Sequence, residues 1–295
     1  MAAAKAILDE IHNPLPRVLS DYNAYTLGRL CGHNVAMTCL PSGVYGTVSA
    51  ATVLVQMLST FQKLQFGLMV GIGGGVPTAS NADIRLGDVV VSKPTTTIGG
   101  VIQYDFGKTT PNGSFEYVGS LNKPPPVLLS AISQLQSAYM AGEQQIQHII
   151  HEALAKNEFM KRKFSRPCED RLFHAAYNHQ NIPTRNAYDD IDECSACDLH
   201  QIVTRPLRPT DEPYIHYGLI ASGNNVMKDA LTRDQIAQPL GVLCFEMEAA
   251  GLMDQLPCLV IRGICDYCDS HKPKKWQGYA SLTAAAYTKE LLKFV

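Results

Sequence analysis

Long apolar runs and an excess of charge are missing from this chain of 295 residues, and no export leader is expected. No stretch reaches the roughly 18 consecutive apolar residues of a membrane-spanning helix. The formal net charge of −2 provides no basic surface for nucleic acid or an anionic membrane. The N-terminal residues lack the charged-then-apolar order of a signal peptide and predict the start of a helix. We therefore expect a cytoplasmic protein without a membrane or nucleic-acid partner.

The nine cysteines are expected to remain thiols in a reducing compartment. Core positions are predicted for the four that lie among apolar neighbours, Cys31, Cys39, Cys244 and Cys258. Two Cys-x-x-Cys pairs, Cys194/Cys197 and Cys265/Cys268, each have a spacing that suits zinc, but the pairs lie far apart along the chain. Buried or incidental thiols are favoured over a metal site shared by both pairs. No metal is expected.

The apolar fraction of 46% and the charged fraction of 18% are typical of a globular protein. Apolar runs predict strands at 25–30, 35–40, 66–72, 89–92, 101–106, 215–222, 242–245 and 258–264. Helical patterns lie at 46–65, 127–157, 226–238, 248–255 and 279–294. Several of the strand runs are continuous rather than alternating, which indicates burial on both faces. Interleaved strands and helices indicate an α/β fold with a mixed, mainly parallel sheet.

We expect a single domain over residues 1–295, since one α/β domain of this length is common. Residues 158–213 differ from the rest, because they are polar, contain cysteine and have a weak periodicity. We interpret this segment as a long excursion or lid over the sheet.

A glycine-rich run, Gly71–Gly75, follows the apolar residues 66–70. Glycines here allow backbone N–H groups to approach a ligand closely. Val76 breaks the dinucleotide-binding pattern, and the Gly-Lys-Ser/Thr of a P-loop is missing. A tight turn after the strand is the alternative, but the position after a buried strand favours a ligand-binding loop.

Two carboxyl groups follow neighbouring strands. Glu248 lies where a strand is predicted to turn into a helix, and Asp266 lies just after the next strand, so both are expected at one edge of the sheet. Such a pair suits cleavage of a glycosidic bond: one group accepts hydrogen bonds from sugar hydroxyls, and the other, protonated, donates to the leaving group. Taken singly, Glu248 also fits a first-turn carboxylate facing a helix dipole, and Asp266 a cap.

Other polar groups have structural alternatives. Asp88 and Arg85 are expected to form a structural pair. Ser222 and Asn224 either cap the following helix or line a pocket for a base. The lysines at 272, 274 and 275 are interpreted as a solvated loop in preference to a phosphate site.

The segments 68–77, 245–251 and 261–266 resemble the nucleoside phosphorylase superfamily. Within it they are most similar to the fungal purine/uridine phosphorylase-like domain, which is often attached to signalling ATPases and is related to methylthioadenosine/adenosylhomocysteine nucleosidases. The resemblance implies a three-layer fold around a central mixed sheet, a small-molecule nucleoside as ligand and a homo-oligomer. It implies no cofactor.

The resemblance also implies roles for individual residues. Met247 and Glu248 match the ribose-binding Met-Glu of the family, and Asp266 matches its purine-facing Asp. Base contacts are implied at Val226, Met227 and Phe245, together with Asp266. The glycines Gly71, Gly73 and Gly74 match the loop beside the ribosyl carbon and the attacking group.

Two departures from the family bear on the reaction. Met69 and Ile72 stand where the hexameric purine phosphorylases have Arg and Ser for phosphate, and neither side chain binds a dianion. Water is therefore favoured as the nucleophile, and a purine nucleoside N-ribosyl hydrolase is expected, with phosphorolysis as the alternative. By the resemblance, the chain is also expected to begin just past the family's opening strand and its water-orienting Glu. This second departure leaves open a non-catalytic module that binds or senses nucleosides.

Overall fold

A six-stranded mixed sheet forms the centre of the computed structural model, which describes residues 1–16, 18–77, 82–180 and 194–295. A three-stranded antiparallel sheet, β1 to β3, and a hairpin, β7 and β8, accompany it. The strands are β1 (Glu10–Ile11), β2 (Thr26–Leu30), β3 (His33–Met37), β4 (Gly67–Gly75), β5 (Val89–Ser92), β6 (Val101–Gln103), β7 (Gly107–Thr109), β8 (Phe115–Tyr117), β9 (Ile215–Ser222), β10 (Val242–Glu246) and β11 (Cys258–Asp266).

The helices lie between and around these strands. They are α1 (Ala2–Ala6), α2 (Thr47–Thr60), α3 (Pro126–Met140), α4 (Ile146–Ala155), α5 (Glu158–Phe164), α6 (Ala230–Leu240) and α7 (Trp276–Leu291). Short 3₁₀ helices cover Leu199–Gln201, Ala249–Gly251 and Leu292–Phe294. Within the described part of the chain, no helix has both the length and the apolar character needed to cross a bilayer.

The central sheet has the strand order β10-β4-β11-β5-β9-β6, and β10 also pairs with β9. The extra pairing closes β10, β4, β11, β5 and β9 into a ring. β4 runs parallel to β11, and β9 runs parallel to β5, β6 and β10. The β10–β4 and β11–β5 pairs are antiparallel. The predicted α/β fold with a mixed, mainly parallel sheet is confirmed.

Helix α7 packs across β4, β5 and β11. Small residues at Ala284–Ala286 are buried, and the rings of Trp276, Tyr279 and Tyr287 are buried as well. α1, α4 and α5 contact the same helix. Because α7 is covered on most sides, its sequence is apolar around nearly the whole helix rather than along one stripe.

The glycine run was predicted as a loop after a strand, and this prediction is wrong. Residues Gly71–Gly75 continue β4, and residues 71–74 pair with β11 on one side. Gly74 and Gly75 also pair with β10 on the other side. Because neighbouring backbones approach this strand closely, glycine is accommodated here as a strand residue.

Several predicted helices are shorter than their patterns. The pattern over 127–157 forms two helices, α3 and α4, and the left-handed Gly142 (φ 80°) lies between them. The pattern that starts at 226 gives α6 only from Ala230. Residues 248–255 form a 3₁₀ turn over Ala249–Gly251 rather than an α-helix.

The segment 158–213, predicted to be irregular, begins with a helix, α5. Farther along, Phe173 pairs with Ile202 in an isolated bridge. Residues 181–193 of the segment lie outside the described residues. Its role as a lid stays a prediction, as does the single-domain organisation.

The cysteine predictions are only partly confirmed. Cys244 and Cys258 are buried, while Cys31 is half-buried. Cys39 is exposed, so its predicted core position is wrong. The reason is local: β3 ends at Met37, and Cys39 has already left the sheet.

Candidate active site

The carboxyl ends of β4, β9, β10 and β11 converge. Gly74 of β4 pairs with Phe245 of β10 on one side and with Asp266 of β11 on the other. Glu246, which ends β10, pairs with Ser222, which ends β9. Backbone pairing therefore gathers the polar residues at these strand ends around the glycines of β4.

The glycines at this point leave no room for a side chain. A Cβ at Gly74 would lie 2.6 Å from Oδ1 of Asp266 and closer still to Sγ of Cys268. A Cβ at Gly73 would lie 3.0 Å from the carbonyl oxygen of Phe245. The absence of side chains on β4 thus allows β10 and β11 to bring their ends together.

Arg262 is a buried cation inside β11, and its side chain is 5% exposed. Its Nη2 donates to the carboxylate of Glu246 and, at 3.1 Å, to Oε2 of Glu248. Its Nη1 donates to the carbonyl oxygen of Ile72 at 3.4 Å. A Cβ at Gly71 would collide with the guanidinium, so this glycine makes space for the arginine.

Glu246 shapes the turn that carries Glu248. Its buried carboxylate accepts the backbone N–H groups of Glu248 at 3.0 Å and of Ala249 at 3.0 and 3.1 Å. Met247, between the two acids, is half-buried. Glu246 is therefore a positioning residue that fixes the backbone on which Glu248 is presented.

Glu248 is partly exposed, with 19% of its side chain accessible, and faces Arg262. Burial raises the pKa of its carboxyl above the ordinary 4.5; the charge of Arg262 opposes this change, and the charge of Glu246 adds to it. A partly desolvated carboxylate beside a cation is a strong hydrogen-bond acceptor, so Glu248 is able to bind hydroxyl groups.

Asp266 is 8% exposed and has a cation beside it. Nζ of Lys272 lies 3.2 Å from both carboxyl oxygens, and the backbone N–H of Cys268 donates to Oδ1 at 2.8 Å. Burial lowers the pKa of Lys272, but the negative charge of Asp266 outweighs this effect and raises the pKa above the ordinary 10.5. The interpretation of Lys272 as a solvated loop residue is therefore wrong, because it forms an ion pair with a predicted catalytic group.

The two positions that depart from the phosphate-binding pattern both contact Arg262. Sδ of Met69 lies 3.3 Å from its Nη2, and Ile72 contributes only a carbonyl oxygen. The arginine itself is paired with two carboxylates. A phosphate dianion at this point would meet negative charge.

The predicted base-binding residues differ in exposure. Phe245 is 5% exposed, and its ring packs edge-to-face on Tyr104, with centroids 5.3 Å apart. The hydroxyl of Tyr104 donates to the carbonyl oxygen of Asn225 at 3.0 Å. Met227 is 9% and Val226 46% exposed. Their contact with a base stays a prediction.

Ser222 and Asn224 do not cap the helix that follows them. Oδ1 of Asn224 accepts the backbone N–H of Thr47, the first residue of α2, at 3.1 Å. Oγ of Ser222 accepts the N–H of Ala250 at 2.9 Å. Asp229 caps α6 instead. The two residues therefore fasten α2 and the turn after β10 to the end of β9.

A separate cavity of about 330 Å³ is lined by Asp88 and several arginines, and by none of the predicted site residues. Asp88 accepts the backbone N–H of Arg85 at 2.9 Å, while the guanidinium of Arg85 pairs with Asp83. Arg208 donates to Asp88 at 2.6 Å. The predicted structural role of Asp88 agrees with this, but its principal charged partner is Arg208 rather than Arg85.

Sequence reasoning missed three residues of the site: Glu246, Arg262 and Lys272. A signal existed for the first two, because each is a charge within an otherwise apolar strand and needs a partner there. For Lys272 no signal existed, since a lysine next to further lysines is typical of a solvated loop.

The chain is similar in sequence to proteins of a known family. The family model of the phosphorylase superfamily matches residues 18–293, which confirms the family predicted from the motifs. A nucleotide-binding leucine-rich repeat (NLR)-like protein from Hyaloscypha variabilis is 46% identical over 293 residues. The match covers 99% of this chain but 28% of that protein, so the chain spans little more than a quarter of this relative.

Solved nucleosidases have a similar fold. A putative 5′-methylthioadenosine/S-adenosylhomocysteine nucleosidase from Borrelia burgdorferi, bound to adenine, has a TM-score of 0.60 and 17% identity, covering 100% of this chain and 96% of its own. The Neisseria meningitidis enzyme with methylthio-immucillin-A has a TM-score of 0.59 and 14% identity, at the same coverage. Futalosine hydrolase of Helicobacter pylori has 0.59 and 13%, covering 99% and 92%. At these identities the likeness shows the fold.

Proposed function

Because this chain belongs to the phosphorylase superfamily, we propose that it binds a purine nucleoside and hydrolyses the N-glycosidic bond. The observation that carries the proposal is the placement of Glu248 and Asp266 near two strand ends that flank Gly74. A nucleosidase of similar fold that holds adenine supports a purine as the base.

Glu248 is the proposed ribose-binding group. Its carboxylate accepts hydrogen bonds from ribose hydroxyls, and its negative charge favours the positive charge that develops on the sugar as the bond breaks. Arg262 and Glu246 hold this carboxylate in place. Met247 borders the same sugar, as the family resemblance implies.

Asp266 is the proposed group at the base. In the reaction the bond between C1′ and the base nitrogen breaks, the base keeps the electron pair and gains a proton, and water supplies a hydroxyl to C1′. Asp266 hydrogen-bonds the purine at N7 and passes a proton to it. Nζ of Lys272 lies 3.2 Å from both carboxyl oxygens of Asp266 and relays to it the proton that passes to N7, while the attacking water releases a proton to solvent in exchange.

Water is the proposed nucleophile. Water is proposed to approach the sugar beside Gly73 and Gly74, as the family resemblance implies, and Gly74 lies between Phe245 and Asp266 in the sheet. The cation next to this strand, Arg262, is paired with two carboxylates. This charge balance disfavours phosphate and leaves a neutral nucleophile as the better fit.

A panel of inosine, adenosine, guanosine and 5′-methylthioadenosine, with and without phosphate, tests the proposal. We expect base release with the free sugar as the second product; the sugar 1-phosphate formed only with phosphate would establish phosphorolysis instead. Asp266→Asn and Glu248→Gln are expected to lower kcat/KM by about 10²–10⁴-fold, while the exposed control Glu116→Gln leaves it unchanged. Full activity of Asp266→Asn would contradict the assigned role of Asp266 in the mechanism.

The second candidate is a nucleoside-sensing module without turnover. The relative from Hyaloscypha variabilis favours it, since a matched stretch covering 28% of an NLR-like protein is consistent with one module of a signalling chain. Titration calorimetry with the same nucleosides separates the two. Saturable binding without base release at high protein concentration supports sensing, and multiple turnovers rule it out.

A further inference from the structure

Three metal-ligating side chains meet away from the strand ends described above. The side-chain donor atoms of His179, Cys194 and Cys197 all lie within 4.8 Å of one another. The two cysteines flank a tight turn, in which the backbone N–H of Cys197 donates to the carbonyl oxygen of Cys194 at 3.1 Å. This turn directs both thiols to one side, next to the imidazole of His179.

We propose that these three residues bind a structural zinc ion. Two thiolates and an imidazole form a donor set typical of zinc, and Cys-x-x-Cys is the spacing that zinc knuckles use. A tetrahedral zinc ion holds neighbouring donor atoms roughly 3.5–3.8 Å apart, so small side-chain rotations close the cluster on the metal. Binding releases the two thiol protons to solvent.

His271 is the proposed fourth ligand. It is 4% exposed, and its ring nitrogens have no hydrogen-bond partner among the described residues. A buried imidazole whose Nε2 has no hydrogen-bond partner is unfavourable, so a ligand is expected at that nitrogen. Its ring centroid lies 5.5 Å from that of His179, and it stacks on Phe173 at 4.0 Å. Oδ2 of Asp269 lies 3.4 Å from Nδ1, which leaves Nε2 for the metal.

The second cysteine pair does not join this cluster. Sγ of Cys265 is directed to Asp266 at 3.4 Å, and Cys268 packs against Gly74. The site shared by both pairs, weighed from sequence, is therefore replaced by one in which the histidines take the places of Cys265 and Cys268.

The zinc would join two segments of the chain. His179 and the cysteines belong to the polar segment, whereas His271 follows β11 and directly precedes Lys272, the partner of Asp266. The segments already touch, because the backbone N–H of His179 donates to Oγ of Ser270 at 2.9 Å. Four protein ligands leave no open position, so the proposed role is structural rather than catalytic.

Metal analysis tests the proposal. The chain, purified with reductant and reconstituted with Zn²⁺ before desalting, is expected to hold about one zinc ion per chain by mass spectrometry. The double variant Cys194→Ser/Cys197→Ser is expected to lose it, and the exposed control Cys39→Ser to retain it. Wild type without stoichiometric zinc, or the double variant with it, would overturn the assignment.

Cobalt substitution of the wild-type chain gives a readout that does not depend on the folding of a variant. Tetrahedral thiolate ligation gives strong d–d bands in the visible and a thiolate charge-transfer band in the near ultraviolet. A weak octahedral spectrum would contradict the proposal. His271→Ala is expected to weaken zinc binding by more than about tenfold, while the exposed His148→Ala does not. Equal affinity in both variants would remove His271 from the site.

Discussion

Nη2 of Arg262 lies 3.1 Å from Oε2 of Glu248, and the same nitrogen donates to Glu246. One buried cation thus holds two carboxylates that would otherwise repel each other. The contact ties β11 to the end of β10, the two strands that lead to the predicted catalytic acids.

Removal of this cation is the first prediction. Arg262→Met is expected to lower the free energy of unfolding by about 3–5 kcal/mol, because it leaves buried carboxylates unpaired. Urea unfolding measures this change. The exposed Arg29→Met serves as the control, and its free energy of unfolding is expected to lie within about 0.5 kcal/mol of the wild-type value. Adding Glu246→Gln to Arg262→Met should restore part of the loss. If the double variant is no more stable than Arg262→Met, the ion-pair account is wrong.

The raised pKa of Glu248 predicts a pH dependence of stability. In the unfolded chain this group ionises near 4.5, and in the folded chain it ionises at higher pH. Between these values the folded state binds more protons, so the free energy of unfolding falls as pH rises through the window. Relative to Glu248→Gln, which does not titrate, the wild type should lose stability from pH 4 to pH 7. An increase over that range would contradict the assigned shift.

A side chain at Gly74 is predicted to disturb the site and the sheet together. Gly74→Ala is expected to lower the free energy of unfolding by about 1–3 kcal/mol through overpacking, because its Cβ would press on Cys268 and Asp266. Cys268 has a positive φ of 57°, a conformation that glycine adopts readily. Gly74→Ala/Cys268→Gly is therefore expected to be more stable than Gly74→Ala. Thermal melts compare the two, and equal stability would refute the clash with Cys268.

Asp88 is predicted to contribute strongly to stability without touching the reaction. Burial alone would raise the pKa of Asp88, but the hydrogen bonds and charges of Arg208 and His216 outweigh burial and lower the pKa below 3.8. Asp88→Asn should cost about 3–5 kcal/mol at pH 7. The half-exposed Asp83 contacts the same arginine, and Asp83→Asn should cost less than about 1 kcal/mol.

The pH dependence of the Asp88 effect has the opposite sign to that of Glu248. The stabilisation is present above the unfolded value of 3.8 and is lost as pH falls through the lower folded pKa. The difference between wild type and Asp88→Asn is therefore expected to shrink only in that acid range. A difference that already disappears between pH 7 and pH 5 would assign it to another cause.

The strands were predictable because their apolar runs are continuous. β5 and β9 have the residues expected from sequence, and β10 and β11 extend only slightly beyond their runs. The partners of Arg262 were not predictable. They depend on which residues of β10 and β4 lie next to it, and the sequence of one strand does not determine its register with its neighbours. β4 was misjudged at its glycines for the same reason, because the neighbours that exclude a Cβ come from β10 and β11.

The metal-ligand cluster shows another limit of sequence. Cys194 and Cys197 were visible as a pair, but their partners His179 and His271 carry no spacing signal. They come together only because the segment that contains Phe173 lies against the loop after β11. Conversely, Cys265 and Cys268 have the spacing of zinc ligands but do not join the cluster. Cys265 lies at the end of β11, and the backbone of Cys268 is held in the following turn by Asp266.

Phe245 on β10 and Asp266 on β11 pair with Gly74 from its two sides. Their backbones are thus separated by two interstrand steps, roughly 9.5 Å, and main-chain hydrogen bonds set that gap. Replacing residues on β10 or β11 changes the chemical groups offered at either end and leaves the span between them intact. Divergent copies of this architecture would accordingly differ in the side chains at the ends of β10 and β11, while the backbone distance between those ends stays constant.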